Sequence, residues 1–383
     1  MAEASSASGL SIPFVGLDAQ RSRIAREIDD AISRVLSHGR FILGPEVAEF
    51  EDRLAAFSGA NAVVSCANGT DALELALRAS GLRPGQAVLV PSFSFCSPAE
   101  AVAGLGGIPV FVDVDARTFC MDPASADAAT QASRAAGLSV VGMIPVDHFG
   151  LPADYQSLNE LANRKDIWVV ADAAQSVGAR YRGRGVGALA PIATTSFVPV
   201  KPLGCYGDGG AVFAQTEELA ASIRSLRVHG RGADLSDHVQ IGRNSRLDTL
   251  QAAILIAKLL IFEDELELRQ QVAHRYEAAL RDRVDVPRIP AGSESSWSHY
   301  TITVPPGQRQ AIQDTLRSRG IPTVVYYPKP LHVQPAYADF PVAPGGLPVS
   351  ERLAGSVLSL PMHPYLDADT QDRISGALVD ALS

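Results

Sequence analysis

Short apolar segments alternate with helix-forming segments along the first half of the chain. The runs at residues 62–66, 87–90, 109–114 and 167–171 are mostly apolar, and each is followed by a turn and a helix-forming stretch. Strands that are apolar along both faces are typical of a parallel sheet that helices cover on both sides. The alternation therefore predicts an α/β fold with a mostly parallel sheet.

The second half follows a different pattern. A long helix-forming stretch without proline covers residues 247–281, and a strand–helix–strand pattern follows at residues 300–326. At 383 residues the chain exceeds what one hydrophobic core commonly organises. We therefore expect a large domain at residues 9–259 and a smaller α+β C-terminal domain at residues 260–383, after a mobile N-terminal tail at residues 1–8.

Composition limits the classes of function. The net charge of -9 argues against general attraction to nucleic acid or to an anionic membrane surface. The chain has no apolar run of about 18 residues and no basic start before an apolar stretch, so we expect neither membrane insertion nor export. Its four cysteines are far apart, and no histidines cluster at metal-ligand spacing. We expect a cytoplasmic protein with small-molecule partners and no metal.

Lys201 stands alone between an apolar run and a glycine-rich turn, and Asp172 ends an apolar strand earlier in the chain. Pyridoxal phosphate chemistry needs this pair. The lysine amine forms an imine with the cofactor aldehyde, and the carboxylate keeps the ring nitrogen charged. A single loop lysine is more often a surface residue, and an aspartate after a strand often caps the next helix. Together, however, the two residues favour pyridoxal phosphate.

Further residues suit the same cofactor. The segment at residues 68–71 lies where a predicted strand gives way to a helix, so its N–H groups and the Thr70 hydroxyl suit a phosphate. The same segment would also serve as a plain helix cap. Gln175 suits the ring hydroxyl. Of Phe93 and Phe95, we expect Phe95 to lay its aromatic face on the ring and the other to join the core.

Two other patterns carry less information. His148 and His229 are candidate acid or base groups, but a lone histidine is more often a core or surface residue. The glycine-rich segment at residues 183–187 lacks the flanking strand and helix of a dinucleotide site, so we expect a hairpin or loop there.

Taken together, the segments at residues 68–73, 172–175 and 196–210 resemble the nucleotide-sugar aminotransferases of the DegT/StrS family, and the likeness runs almost end to end. The resemblance implies the aspartate aminotransferase-like fold (fold type I) of pyridoxal phosphate-dependent transferases. It implies a homodimer whose active sites lie at the shared interface. It also implies that Lys201 is the catalytic imine lysine and that Asp172 partners the ring nitrogen.

The resemblance assigns further contacts to the cofactor and the substrate. The implied cofactor contacts, besides Lys201 and Asp172, are Gly69, Thr70, Gln175, Ser196 and, from the neighbouring subunit, Asn244. Those implied for the substrate are Arg246, His299 and Tyr300. The pattern departs from the family at Pro98, at Val198 and Val200, and at Asp147-His148-Phe149-Gly150, where relatives carry His-Leu-Tyr-Gly.

The likeness at residues 38–45, 201–210 and 360–364 is to the branch that aminates UDP-linked 3-oxo-2-acetamido-glucuronate. It implies that a UDP-linked 3-oxo sugar, of the glucuronate or glucose type, receives an amino group from L-glutamate. The product would be a 3-amino sugar nucleotide for cell-surface polysaccharide.

Three alternatives stay open. One is an aminotransferase acting at C4 of a 4-keto-6-deoxy sugar nucleotide, for which the motifs are nearly the same. Another is a sugar dehydratase of the same fold, but the resemblance implies histidine at the lysine position in such enzymes, so Lys201 argues against it. The third is a non-catalytic regulatory homologue, which we would expect to have lost Lys201 or Asp172.

Overall fold

The structure is a computed structural model that describes residues 12–234 and 236–382. The tail expected at residues 1–8 lies outside the described residues. In the described part, the α-helices are α1 Leu17–Arg23, α2 Ala25–His38, α3 Pro45–Ser58, α4 Gly69–Ala79, α5 Ser97–Gly104, α6 Pro123–Ala135, α7 Tyr155–Lys165, α8 Glu217–Leu226, α9 Thr249–Leu280, α10 Arg309–Ser318, α11 Pro348–Ser356 and α12 Ala368–Leu382.

The strands are β1 Ala62–Cys66, β2 Ala87–Pro91, β3 Ile108–Val112, β4 Val140–Met143, β5 Trp168–Asp172, β6 Arg180–Tyr181, β7 Arg184–Gly185, β8 Ile192–Ser196, β9 Gly210–Ala214, β10 Ser293–Glu294, β11 Tyr300–Thr303 and β12 Val357–Leu360. Short 3-10 helices lie at His148–Gly150, Val186–Ala188 and Leu331–Val333.

Seven strands form the central sheet in the order β1-β9-β8-β5-β4-β2-β3. The pairs from β8 through β5, β4 and β2 to β3 are all parallel, whereas β9 runs antiparallel to both of its neighbours, β1 and β8. The α/β fold with a mostly parallel sheet is therefore confirmed. The glycine-rich segment at residues 183–187 begins in the small β6–β7 hairpin.

Helix boundaries follow from local sequence. In α2, Ile28, Ala31 and Val35 repeat at helical spacing and are buried, and the helix ends at Gly39 with a positive φ of 69°. The sequence pattern is continuous with α1, but the backbone breaks at Ile24, whose φ of -123° and ψ of 34° are not helical. Pro45 opens α3 at its first position, where proline costs no hydrogen bond.

Two large groups of buried apolar side chains divide the interior. The larger surrounds the seven-stranded sheet. The other lies around β11 and β12 and takes in Val272 and Tyr276 from the second half of α9. The domain division after residue 259 stays a prediction. No helix in the described ranges is long and apolar enough to cross a bilayer.

One expected strand is replaced by a loop. Of the predicted strand at residues 322–326, only Val324 is paired, with Ser359 next to the short β11–β12 sheet. The loop that follows brings the Tyr327 ring to a centroid distance of 6.4 Å from Phe95, which follows β2 in the large sheet. This connection joins the C-terminal part of the chain to the edge of the sheet where the candidate residues gather.

Candidate active site

Lys201 lies in the turn that joins β8 to β9, and its N–H donates to the Val198 carbonyl at 2.9 Å. The side chain is partly buried, and no hydrogen bond or ion pair joins its Nζ to another described residue. Burial lowers the pKa of Lys201 to about 8, although the negative charge of Asp172 opposes this. About a tenth of the amine is therefore neutral, and thus nucleophilic, at pH 7, far more than for a lysine with the ordinary pKa.

Asp172 ends β5 and is only 5% exposed. Its backbone is fixed on both sides, since its N–H donates to the Pro145 carbonyl at 2.8 Å and its carbonyl accepts from Asp147 at 3.0 Å. Oδ1 accepts from the Ala174 N–H at 3.0 Å, whereas no described residue donates to Oδ2. Burial raises the pKa of Asp172, and the Ala174 N–H and Lys201 oppose this. The free oxygen suits a cationic partner.

The start of α4 forms a cradle beside this pair. Asn68 caps the helix, and its Oδ1 accepts from the Asp71 N–H at 2.8 Å. A Cβ added to Gly69 would lie 2.7 Å from the Cβ of Ser196, so only glycine allows this close approach. The Thr70 hydroxyl lies 2.9 Å from the Ser97 hydroxyl. Helix N–H groups and hydroxyls that converge in this way suit a phosphate.

Gln175 holds the other end of the site. Its Oε1 accepts from the Phe149 N–H at 2.9 Å, and its Nε2 donates to the Tyr327 hydroxyl at 3.3 Å. Phe93 is fully buried, whereas 56% of Phe95 is exposed. Phe95 therefore has a free aromatic face, as the sequence predicts, while Phe93 lies in the core.

His299 lies within electrostatic reach of Lys201. Burial lowers the pKa of His299 to about 3, with further lowering by the charges of Lys201, Arg269 and His148. Tyr300 points elsewhere. It is buried to 1% exposure, its ring stacks on Trp297 at a centroid distance of 5.7 Å, and it belongs to the apolar core around β11 and β12. The structure thus brings His299, but not Tyr300, to the other candidate residues.

Asn244 and Arg246 lie on a segment that passes the phosphate cradle. Between them, the Ser245 hydroxyl accepts from the Ala67 N–H at 3.2 Å, directly before the cap of α4. The Asn244 side chain is exposed, and Arg246 is partly buried without an ion pair to another described residue. Both side chains are therefore available to a ligand or to a second chain.

Sequence reasoning missed two residues of the site. Ser97 opens α5 and meets Thr70, and Tyr327 comes from the loop after the missing strand to bind Gln175. Ser97 could have been predicted from its position, because it follows the aromatic Phe93–Phe95 segment closely. Tyr327 had no comparable signal, because 152 positions separate it from its partner.

Comparisons with known proteins identify the family of the chain. A profile of the DegT/DnrJ/EryC1/StrS aminotransferase family matches residues 22–379. The chain is 46% identical over 370 residues to the UDP-2-acetamido-2-deoxy-3-oxo-D-glucuronate aminotransferase of Pseudomonas aeruginosa, covering 96% of this chain and 100% of that protein.

Two solved structures extend the likeness to the fold. One is a DegT DnrJ EryC1 StrS aminotransferase from Brucella abortus, with 50% identity, a TM-score of 0.94 and coverage of 96% of this chain and 98% of that one. The other is NtdA from Bacillus subtilis with bound cofactor PMP, with 29% identity, a TM-score of 0.87 and coverage of 98% and 86%. The family and fold implied by the sequence motifs are thereby confirmed: the chain belongs to the DegT/DnrJ/EryC1/StrS aminotransferase family.

Proposed function

We propose that the chain binds pyridoxal 5'-phosphate and transfers an amino group from L-glutamate to a UDP-linked 3-oxo-2-acetamido sugar of the glucuronate or glucose type. The product is a 3-amino sugar nucleotide for cell-surface polysaccharide. One observation carries the proposal: the partly buried Lys201 amine, free of any described partner, lies within electrostatic reach of the strand-end carboxylate of Asp172. The relative from Pseudomonas aeruginosa, matched along its whole length, supports the choice of substrate.

The residues present fit this cofactor. The approach of Gly69 to Ser196, together with the Thr70 hydroxyl, offers a cradle for the phosphate. The free oxygen of Asp172 suits the charged ring nitrogen, and the remaining N–H of the Gln175 amide suits the ring hydroxyl. The exposed face of Phe95 suits the ring itself.

Bound there, pyridoxal phosphate supplies a reactive aldehyde and an electron-withdrawing ring. Lys201 would hold the cofactor through Nζ until the amino group of glutamate displaces it. The freed, neutral Nζ would then accept the proton from the α-carbon of glutamate and deliver it to the carbon that had carried the aldehyde. When the keto sugar arrives, Lys201 reverses these transfers. The lowered pKa of Lys201, about 8, suits a base that works near neutral pH.

Arg246 and His299 are the substrate contacts that we propose. Arg246 has no ion pair within the described chain and suits an anionic sugar substituent. The lowered pKa of His299 keeps its imidazole neutral, so it offers a hydrogen bond rather than a charge. Tyr300 is left out of this set, because its ring is packed between Tyr276 and Trp297.

We also propose a homodimer with shared sites. Several large apolar side chains near the site are exposed on the single chain, namely Phe41, Ile42, Val200, Tyr206 and Ile241. A second copy that covers them would bring its Asn244 to the phosphate cradle. A cytoplasmic location is proposed as well, since all four cysteines are free thiols.

A substrate panel tests the reaction. Purified protein is loaded with pyridoxal phosphate and incubated with L-glutamate and matched 3-keto and 4-keto sugar nucleotides, with and without a C6 carboxylate. Mass spectrometry and NMR then identify the amino sugar. We expect amination at C3 of the UDP-linked 2-acetamido compounds. Amination of the 4-keto compounds alone would replace this assignment with the C4 reaction, and no amination of any compound would refute both.

A further inference from the structure

His148 is a buried histidine that the proposed reaction does not use. It is 0% exposed, and neither ring nitrogen has a hydrogen-bond partner among the described residues. Buried polar side-chain atoms are nearly always hydrogen-bonded in folded proteins. Two such atoms on one ring therefore indicate that a partner comes from outside the polypeptide.

The backbone places His148 between two anchors of the candidate site. The N–H of Asp147, on one side, donates to the Asp172 carbonyl at 3.0 Å. The N–H of Phe149, on the other side, donates to Gln175 Oε1 at 2.9 Å. His148 is thus held in the same hydrogen-bonded frame as the two residues that are proposed to bind the cofactor ring.

The surroundings of the ring point to the same place. The His148 ring lies 5.9 Å from the ring of Phe93 and 6.3 Å from that of Tyr327, centroid to centroid. The positive charge of Lys201 acts on His148 and lowers its pKa. The imidazole therefore lies beside Tyr327, which binds Gln175, and within electrostatic reach of Lys201.

The ring is neutral at physiological pH. Burial is the main cause that lowers the pKa of His148 to about 4, and the Phe93 backbone opposes this. A neutral imidazole has one N–H donor and one acceptor nitrogen. Both His148 and His299 line a cavity of about 20 Å³, which is room for one water molecule. Such a water can satisfy one nitrogen. The Phe93 backbone acts on the ring electrostatically but does not lie in hydrogen-bond geometry with either nitrogen, so the other nitrogen is left for a ligand.

We propose that His148 is a cofactor-contacting residue that hydrogen-bonds bound pyridoxal phosphate beside Gln175. The inference rests on the proposed function, because it needs that cofactor in the pocket. His148 would give the site a neutral polar contact at a position where relatives in the DegT/StrS family carry leucine. His148→Leu is therefore the natural test variant, since leucine fits a buried position and cannot hydrogen-bond.

The first measurement is the affinity for pyridoxal phosphate. Two signals monitor binding, namely the visible absorbance of the bound cofactor and the rise in melting temperature that it causes. We expect His148→Leu to bind roughly tenfold more weakly than the wild type, with His148→Gln in between. His274→Leu is the matched control, because His274 is exposed on α9 and should leave the affinity unchanged. Thermal unfolding of the cofactor-free variants shows whether each is folded.

The second measurement is NMR of protein labelled with ¹⁵N at histidine, in which the His148 signals are assigned by their loss in His148→Gln. We expect these signals to move when pyridoxal phosphate is added. The inference would be overturned if the wild type binds pyridoxal phosphate, His148→Leu binds it equally well, and the His148 signals do not move. That outcome would leave the proposed function standing. A wild type that does not bind pyridoxal phosphate would overturn both.

Discussion

The ammonium nitrogen of Lys258 lies 4.4 Å from the centroid of the Tyr206 ring, in the turn that carries Lys201. Lys258 is 1% exposed, and its Nζ has no hydrogen-bond partner in the described chain. From the same helix, Gln251 accepts from the Tyr206 N–H at 2.8 Å and donates to the Tyr206 carbonyl at 3.2 Å. Helix α9 thus fixes the turn through its backbone and through a cation on an aromatic face.

We predict that Lys258→Met changes how stability depends on pH. Burial lowers the pKa of Lys258 from 10.5 to about 8, so between these values the unfolded chain binds more protons and stability rises with pH. The full shift corresponds to about 3 kcal/mol in the free energy of unfolding. The wild type should gain this stability between pH 8 and pH 10.5, whereas Lys258→Met should not. Urea unfolding across this range, with exposed Lys329→Met as control, measures the difference. Parallel curves for Lys258→Met and the wild type would contradict the prediction.

Lys201→Ala should abolish turnover and the visible absorbance of bound cofactor together, because no other described amine is proposed to reach the aldehyde. We expect kcat to fall at least about a hundredfold. Lys329→Ala, which removes an exposed lysine from a loop, is the control. Absorbance titration with pyridoxal phosphate and product assays measure the two effects. Turnover within tenfold of the wild type would remove Lys201 from the catalytic role.

Asp172→Asn should have opposite effects on the empty and the loaded protein. Asparagine keeps an oxygen to accept from the Ala174 N–H, and it removes a carboxylate whose pKa burial raises. The cofactor-free variant should therefore be at least as stable as the wild type. Its affinity for pyridoxal phosphate should fall roughly tenfold or more, because the ring nitrogen loses its counterion. Wild-type affinity in this variant would exclude the ion pair.

Gly69→Ala tests the phosphate cradle. The added Cβ would lie 2.7 Å from Ser196 Cβ, so α4 and β8 must move apart, at a cost of about 1–3 kcal/mol. Gly376→Ala is the matched control, because no atom lies within 4 Å of its added Cβ, and alanine in α12 should stabilise by up to about 1 kcal/mol. Unfolding and cofactor titration compare the two variants. Equal cofactor affinity in both would mean that the cradle does not hold the phosphate.

A mixing experiment tests whether the sites are shared. Lys201→Ala and Asn244→Ala should each be inactive alone, but a mixed dimer would combine Lys201 of one chain with Asn244 of the other in one intact site. Refolded or exchanged mixtures should then regain about a quarter of wild-type activity, since half of the dimers are mixed and each has one good site. No recovery in dimers that mass spectrometry shows to be mixed would contradict shared sites.

Local signals made much of the fold predictable. The run at β1 was identified without error because its residues are apolar and flanked by turn residues, and β5 was placed within one residue for the same reason. Lys201 and Asp172 are proposed as site residues because each stands out against an apolar run. Asp172 at the end of β5 and the turn after β8 that carries Lys201 lie at the same edge of the sheet, because the carboxyl ends of parallel strands share one edge.

Long-range packing was not predictable. The break at Ile24 interrupts a pattern that is typical of one helix, and the strand expected at residues 322–326 gives way to a loop. Tyr300 occupies a core that forms around β11 and β12, and nothing in its immediate sequence distinguishes a buried tyrosine from one that faces a ligand. The contacts of Tyr327 and Ser97 depend on distant partners in the same way.

The antiparallel strand β9 also sets the order in which this protein can be completed. It separates β1 from β8, and its Gly210 pairs with both Cys66 and Ser196, so the cradle needs the neighbouring strands β8 and β9 together with β1, which is far from both in sequence. A ribosome-bound chain that has emerged only as far as β8 lacks the strand that pairs with both β1 and β8. Non-local strand pairings of this kind form slowly. Capacity to bind cofactor should therefore appear late in synthesis, after residue 214 has left the ribosome.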